Sequence, residues 1–273
     1  MYDAATALSH RPELTWVTIG DGRFGLDAIR IRRMGFRSVL STDIGGALLE
    51  KAKSRGLIED YAVENAESLT FGDDTFDVVF CKESYHHCPR GPLALYEMLR
   101  IARHAVILVE PRDYVIDHGP HRATGPVGLL RGFISWCRDR LGMALPLAPI
   151  EQRYLTGDTP HYEQSGNYMY TISSRELEKV ALGLNLPAIA LKGLNDDYVA
   201  GGETEPATES SAVFRAMREA ITAADAKSEA GRGSTGMLMA MLFKERPDEQ
   251  TRKYLADAQW SYRDLPRNPH IAG

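Results

Sequence analysis

A glycine-rich turn and a later acid are the residues of this chain whose spacing indicates chemistry. The apolar run that includes Val17 ends in Gly20, Gly22 and Gly25, and Asp43 ends the next apolar run 23 residues after Gly20. Glycines at the end of a strand let the backbone turn tightly and approach a ligand without a Cβ in the way. An acid at the end of the following strand can accept two ribose hydroxyls. The pattern therefore predicts a site for a nucleoside-containing cofactor.

These residues alone fit two classes of cofactor. Nicotinamide and flavin dinucleotides bind to a glycine turn of this kind, with the ribose-binding acid at a similar distance along the chain. S-adenosylmethionine, which also contains adenosine, is the other class. The spacing from Gly20 to Asp43 does not separate the two classes. The residues that follow do.

Three further blocks follow the glycine turn. They read Asn65-Ala66-Glu67, Leu69-Thr70-Phe71 and Asp74-Thr75-Phe76-Asp77, and they precede an apolar string that ends at Glu110. In this order the chain resembles the class I S-adenosylmethionine-dependent methyltransferases, particularly the small-molecule branch that includes the ubiquinone and menaquinone C-methyltransferases. The resemblance covers residues 15–111 closely and residues 171–245 loosely, and it rests on several ordered motifs rather than on one.

The resemblance assigns roles to residues at the matching positions. It implies that the glycine turn contacts the methionine part of the cofactor, that Asp43 holds the ribose, and that the block 65–67 presents the adenine pocket. The residues expected to bind the cofactor are Thr18, Gly20, Asp21, Gly22, Gly25, Asp43, Ile44, Asn65, Ala66, Glu67, Lys82 and Glu83. Thr18 stands where the family usually has an acid that helps orient the cofactor's amino group. Asn65 stands in place of the usual aspartate, and its amide can still hydrogen-bond the adenine edge.

His86, His87 and Glu110 are the candidates for catalysis. The two histidines follow the fourth predicted strand, where the family has the rim of its active site, and Glu110 ends the fifth. A histidine near its ordinary pKa can remove a proton from the acceptor as methyl transfer proceeds. Packing is the alternative role for the histidines, capping of the next loop is the alternative for Glu110, and a surface ion pair is the alternative for Lys82 and Glu83. No spacing typical of metal ligands occurs, so no metal is expected.

The composition predicts an ordinary α/β protein inside the cell. Hydrophobic residues make up 44% of the 273 residues and charged residues 25%, which is enough to bury a full core. A formal net charge of −5 argues against a general nucleic-acid binder. The three cysteines form no CxxC pair, and no apolar run approaches the ~20 residues that span a membrane. We therefore expect a cytoplasmic protein with a small-molecule acceptor, no nucleic-acid partner and no membrane insertion; a homodimer is compatible with the sequence.

Strands and helices alternate along the first part of the chain. Strands are predicted near 15–20, 38–43, 59–64, 75–81 and 104–110, with helices near 24–34, 46–55 and 92–103. This alternation predicts a doubly wound α/β fold, because parallel strands need such crossovers. The apolar segments 188–191 and 237–243 predict a sixth and a seventh strand, and the resemblance implies that the seventh is antiparallel and lies beside the fifth. The expected fold is therefore a seven-stranded, mostly parallel, Rossmann-like sheet.

The predicted domain boundaries lie where the alternation of strands and helices ends. Residues 1–111 and 171–246 are expected to form the cofactor-binding domain, and residues 247–273 a tail docked on it. Residues 112–170 hold five prolines, a predicted helix near 126–141 and several tyrosines. A surface insertion is one interpretation of this segment. A substrate cap is the other, because long ordered segments in compact domains are often lids or binding loops.

Three functional hypotheses remain at this level. The first, which we favour, is methyl transfer from S-adenosylmethionine to a small-molecule acceptor. The second is a nicotinamide-dependent oxidoreductase, which accounts for the glycines and Asp43 but not for the blocks between 65 and 77. The third is a protein that binds the cofactor without transferring a methyl group, which Thr18 in place of the usual acid keeps open.

Overall fold

An eight-stranded β-sheet organises the part of the chain that the structure describes. The computed structural model describes residues 1–113, 168–197, 199, 202–230 and 235–270. The strands are β1 (Thr15–Ile19), β2 (Ser38–Asp43), β3 (Tyr61–Val63), β4 (Phe76–Lys82), β5 (Ala102–Pro111), β6 (Ala188–Leu194), β7 (Met237–Phe243) and β8 (Ser261–Asp264). Their order across the sheet is β3-β2-β1-β4-β5-β7-β6-β8.

Helices pack on both faces of this sheet. They are α1 (Asp3–Thr6), α2 (Leu26–Arg33), α3 (Ala47–Ser54), α4 (Gly91–Ile101), α5 (Ser174–Gly183), α6 (Ala212–Glu229) and α7 (Glu249–Asp257), with short 3₁₀ turns at Tyr85–His87 and Gly202–Thr204. Strands β1 to β5 pair in parallel, and α2, α3 and α4 supply crossovers between them. The predicted doubly wound α/β fold is confirmed. None of the described helices is both long and apolar enough to cross a membrane.

The core lies in two layers, one on each face of the sheet. Successive residues of a strand face opposite sides, so Val17 and Val79 belong to the layer under α4 and α5, whereas Trp16 and Phe80 belong to the layer under α1 and α2. Residues 78–81 of β4 are all fully buried. This double burial is the reason why the central strands read as continuous apolar runs in the sequence.

The seventh predicted strand lies where it was expected. β7 is antiparallel to β5, with Ile107 opposite Met241, and it is also antiparallel to β6. All seven of its residues are buried between its two neighbours and the helices. Strand β7 therefore joins β6 to the parallel half of the sheet.

The predicted count of seven strands was wrong, because the tail adds β8. Strand β8 pairs with β6 in antiparallel fashion, with Tyr262 opposite Ala190. Three of the four β8 residues are exposed, so the segment lacks the apolar alternation by which a strand is recognised in a sequence. The preceding Trp260 holds the tail instead, since its ring is buried and its Nε1 donates to Asp3 at 2.9 Å.

The chain reverses its direction of winding between β1 and β4. From β1 it proceeds outward through β2 to β3, and it then returns to the other side of β1 to form β4 and β5. The loops that follow β1 and β4 therefore diverge from neighbouring strand ends. Such a switch point at the carboxyl edge of a parallel sheet leaves a crevice in which ligands bind.

The long insertion leaves and re-enters the fold at one place. The Asp113 amide donates to Ile172 O at 2.8 Å, and the Ile172 amide donates to Pro111 O at 3.0 Å. The Tyr170 amide donates to His86 O at 3.0 Å, which sets the returning segment beside the loop after β4. Residues 114–167 lie outside the described residues, so the predicted helix at 126–141 and most of the predicted cap do as well.

Candidate functional site

A cavity of about 840 Å³ opens at the switch point. The loops after β1, β2, β3 and β4 form its wall, together with the first turns of α2. Most of the residues predicted to form the site lie on this wall, namely Gly20, Asp21, Gly22, Asp43, Ile44, Asn65, Ala66, Glu67, Lys82, Glu83, His86 and His87. Thr18, Gly25 and Glu110 lie behind the wall, so they do not reach the cavity directly.

Asp43 ends β2 and faces the glycine turn. Its Oδ1 accepts a hydrogen bond from the Gly45 amide at 2.7 Å, whereas no described residue donates to Oδ2. A Cβ on Gly22 would lie 2.7 Å from the Asp43 Cγ and Oδ2. The absence of a side chain at position 22 therefore makes the room that the Asp43 carboxylate occupies, and it leaves one carboxylate oxygen available to a ligand.

Gly20 has a different neighbour. Its φ is +74°, and a Cβ at this position would lie 1.6 Å from Ser84 Oγ. The backbone of the loop after β1 thus packs against the Ser84 side chain of the loop after β4. Gly20 is required both by its left-handed backbone conformation and by this approach, which closes one side of the crevice.

Thr18 and Asp21 turn inward and hold α2. The Asp21 carboxylate accepts hydrogen bonds from the Asp27 amide (3.0 Å), the Ala28 amide (2.9 Å), the Ser41 hydroxyl (3.1 Å) and Thr18 Oγ1 (2.9 Å). The two amides belong to the first turn of α2, where backbone donors lack partners within the helix. Burial, and then the nearby Asp27 carboxylate, raise the pKa of Asp21 to about 6.

The block after β3 is held by its own side chains. Asn65 Oδ1 accepts from the Glu67 amide at 3.0 Å. Glu67 Oε1 accepts from the Arg90 amide at 2.5 Å, and its Oε2 accepts from Arg90 Nε at 2.8 Å. The Glu67 carboxylate thereby ties this block to the start of α4. Ile44 also lines the cavity and is 73% exposed, so a planar apolar group can cover it.

Glu110 and His86 form a buried pair at the end of β4 and β5. Glu110 is 0% exposed, and its Oε2 lies 2.6 Å from His86 Nδ1. Its Oε1 accepts from the Ser84 amide at 3.0 Å and from the Tyr85 amide at 2.9 Å. Of the two roles considered for Glu110, the structure shows the cap on the next loop. Glu110 does not line the cavity in the described part of the chain, whereas His86, which it contacts, does.

Further charged residues line the cavity, and of these the sequence predicted only Lys82 and Glu83. Lys82 Nζ lies 2.5 Å from Glu83 Oε2, the ion pair considered as an alternative, and both residues line the wall. Arg23, Asp27 and Arg30 also line it. Asp27 and Arg30 are three residues apart, which puts them on one face of α2, whereas Arg23 precedes the helix. The spacing of these two polar residues within one helix is the signal by which they could have been found.

Comparison with protein families gives one match. Residues 17–109 match the model of a family described as a methyltransferase domain. Among curated proteins, the uncharacterized protein Rv1405c of Mycobacterium tuberculosis is 32% identical over 91 residues, which are 32% of this chain and 32% of that protein. The uncharacterized protein Mb1440c of Mycobacterium bovis matches to the same extent. The match thus spans about a third of the length of these relatives.

Solved structures share the fold over most of the chain. The YcgJ protein from Bacillus subtilis has a TM-score of 0.51 at 15% identity, covering 90% of this chain and 100% of that one. A putative methyltransferase from Bacillus halodurans has a TM-score of 0.50 at 12% identity, covering 90% and 100%. Neither of these two matches bears on the quinone C-methyltransferase branch. Residues 17–109 therefore resemble a methyltransferase domain, and the sheet around them has the fold of these solved structures.

Proposed function

We propose that this chain transfers a methyl group from S-adenosylmethionine to a small-molecule acceptor. The observation that carries the proposal is the pairing of Asp43 with Gly22 at the switch point, where one carboxylate oxygen is held by Gly45 and the other is open. A vicinal diol of a ribose offers two hydroxyl donors to such a carboxylate. Charge-assisted hydrogen bonds of this type are among the stronger ones in proteins.

The neighbouring wall suits the adenine ring. Ile44 follows Asp43 directly and is largely exposed, and Ala66 and Asn65 line the same cavity. An apolar side chain beside an amide fits a planar heterocycle with a polar edge. The Asn65 carbonyl already accepts from the Glu67 amide, so its amide nitrogen is the group left for the ring edge.

The reaction itself needs alignment more than it needs a special side chain. When bound, S-adenosylmethionine would supply a methyl group already activated by its sulfonium sulfur, and S-adenosylhomocysteine would remain after the acceptor has taken it. Holding the two reactants in line can lower the barrier by roughly 7–11 kcal/mol in well-arranged cases. We assign proton acceptance from the substrate to His86, with Glu110 as the residue that positions its ring through Nδ1.

We also propose that residues 112–170 form a cap over the acceptor, between the two parts of the cofactor-binding domain, 1–111 and 171–246. The support comes from the described ends of the segment. Strand β5 ends at Pro111, one residue after Glu110, and the returning Tyr170 amide donates to His86 O. Both ends of the insertion therefore lie next to the residue assigned to the proton.

Calorimetry with S-adenosylhomocysteine, NAD and NADP tests the choice of cofactor. We expect the chain to bind S-adenosylhomocysteine alone. Asp43→Ala should weaken this binding by about 1.5–3 kcal/mol, the scale of hydrogen bonds to a charged group. Glu50→Ala is the matched control, because it removes an exposed acid of α3 whose carboxylate forms no hydrogen bond or ion pair with the described residues. Binding of a nicotinamide dinucleotide in place of S-adenosylhomocysteine would refute the proposal.

Methyl transfer is tested separately from binding. The chain is incubated with methyl-labelled S-adenosylmethionine and a small-molecule extract, and label in a product is followed. Deletion of residues 126–141 should abolish transfer while cofactor affinity stays within a few fold. Loss of both in a chain that still folds would mean that the insertion serves the cofactor rather than the acceptor.

A further inference from the structure

Asp27 is a buried acid on the cavity wall that forms no ion pair with any residue the structure describes. It is 8% exposed, and the Tyr2 hydroxyl donates to its Oδ1. Within the described residues no donor bonds Oδ2, and no cation forms an ion pair with Asp27. Burial raises its pKa, although Lys82, the Tyr2 hydrogen bond and Arg30 act in the other direction. A buried carboxylate without a paired cation is costly, so this position favours a ligand that brings one.

The other acids of the wall are already engaged. Both carboxylate oxygens accept hydrogen bonds in Asp21, in Glu64 (from Thr70) and in Glu67. Glu83 pairs with Lys82. Asp27 and Asp43 are the two acids of the wall that, among the described residues, combine one bonded oxygen with one open oxygen and no ion pair. They stand on different elements, the first turn of α2 and the end of β2, and so can hold two parts of one ligand.

Arg30 lies three residues after Asp27 on the same face of α2. Its Nη1 donates to the Tyr2 hydroxyl at 3.0 Å, and its Cζ lies 5.2 Å from the centre of the Tyr2 ring. Arg30 forms no ion pair with a carboxylate among the described residues. A carboxylate and a guanidinium side by side complement a zwitterion, in which an ammonium and a carboxylate share one carbon atom.

We propose that Asp27 and Arg30 bind the α-amino-acid end of the cofactor, with Asp27 on the ammonium group and Arg30 on the carboxylate. This assignment rests on the proposed function. It places the amino-acid end at α2 and the ribose at Asp43, with the glycine turn between them. Tyr2 is the positioning residue, because its hydroxyl bonds both side chains and its ring stacks on Phe80 at 5.7 Å. The segment before β1 thereby becomes part of the site.

Two ligands that differ only at one end test the proposal. S-adenosylhomocysteine carries the amino-acid end, and 5′-methylthioadenosine has a methyl group in its place. Asp27→Asn should lower the affinity for S-adenosylhomocysteine by about 10- to 100-fold. It should change the affinity for 5′-methylthioadenosine by less than about threefold. Arg30→Gln, at an exposed position, should show the same selectivity. Asp43→Asn is the matched control, because it should weaken both ligands.

The outcomes separate the two proposals. If the unaltered chain binds both ligands and Asp27→Asn weakens them equally, or weakens neither, the assignment of Asp27 is overturned while the proposed cofactor stands. If the unaltered chain binds neither ligand, the proposed function fails and the assignment fails with it. Thermal unfolding of Asp27→Asn shows whether the variant is folded. If it is not, Arg30→Gln decides, because a selective loss of S-adenosylhomocysteine supports the assignment and an equal effect on both ligands overturns it.

Discussion

Gly22 and Asp43 share one space at the mouth of the sheet, since a Cβ on the glycine would lie 2.7 Å from the Asp43 Cγ and Oδ2. The two residues come from the loop after β1 and from the end of β2, which are parallel neighbours. Gly22 does not adopt a positive φ. A side chain is therefore excluded at this position by lack of space rather than by the backbone conformation. The position of the acid thus depends on the absence of a side chain across from it.

A methyl group at position 22 should act through Asp43. We expect Gly22→Ala to displace the Asp43 carboxylate and to lower the affinity for S-adenosylhomocysteine by about tenfold. This loss is within the range for a hydrogen bond to a charged group. In the Asp43→Ala background the same substitution should have little further effect. Calorimetry on the double-mutant cycle measures this coupling. Additive effects would instead mean that the new methyl group blocks the ligand directly.

Gly20→Ala should damage the fold rather than only the site. The alanine must adopt a φ of +74°, which costs about 1–2 kcal/mol, and its Cβ would meet Ser84 Oγ at 1.6 Å. We expect the free energy of unfolding in urea to fall by more than about 2 kcal/mol. Adding Ser84→Gly should recover the stability lost to the clash with Ser84 and leave the loss that comes from the positive φ at position 20. Unchanged stability of Gly20→Ala would show that the two loops do not pack as described.

Asp21 should make the stability of the chain fall between acid and neutral pH. Burial and the Asp27 carboxylate raise its pKa from 3.8 to about 6, so the folded state holds the proton more tightly than the unfolded chain. The stabilisation of the folded state by protonated Asp21 is complete below about pH 4 and is lost as the pH rises through about 6. Its size is about 3 kcal/mol, at about 1.4 kcal/mol for each pKa unit.

The Asp21→Asn variant isolates this contribution, because its side chain does not titrate. Relative to the variant, the unaltered chain should lose about 3 kcal/mol of unfolding free energy between about pH 4 and pH 7.5. Urea unfolding of both chains at the two pH values gives the difference. A difference that is constant with pH would contradict the raised pKa of Asp21.

Asp3 should hold the tail to the body of the chain. Its carboxylate accepts from Lys192 Nζ (2.7 Å), Tyr254 Oη (2.5 Å) and Trp260 Nε1 (2.9 Å). Asp3→Ala should lower the free energy of unfolding by about 1–3 kcal/mol, since three buried or half-buried donors lose their acceptor. It should also speed proteolysis after residue 247. Glu50→Ala, which should stay within about 0.5 kcal/mol, is the control.

The sequence by itself determined where the parallel strands and their helical crossovers fall along the chain, and which glycines and acid stand at the strand ends. Central strands buried on both faces must be apolar throughout, and the crossovers between them must be helical, so β1 to β5 leave a pattern that periodicity detects. Gly20 and Asp43 were also detectable, because a tight turn and a terminal acid depend on residue type at a short separation.

Tertiary structure alone decided which polar groups face the cavity. Asp21 and Glu110 look like site residues in the chain, but donors from α2 and from the loop after β4 turn their carboxylates inward. Asp27 was not predicted to be a site residue. It faces the cavity because the hydrogen bonds from the Asp27 and Ala28 amides to Asp21 fix the first turn of α2. The direction of a carboxylate depends on which donors come within about 3 Å of it. Those donors belong to residues brought together only by folding, and no local pattern in the sequence records them.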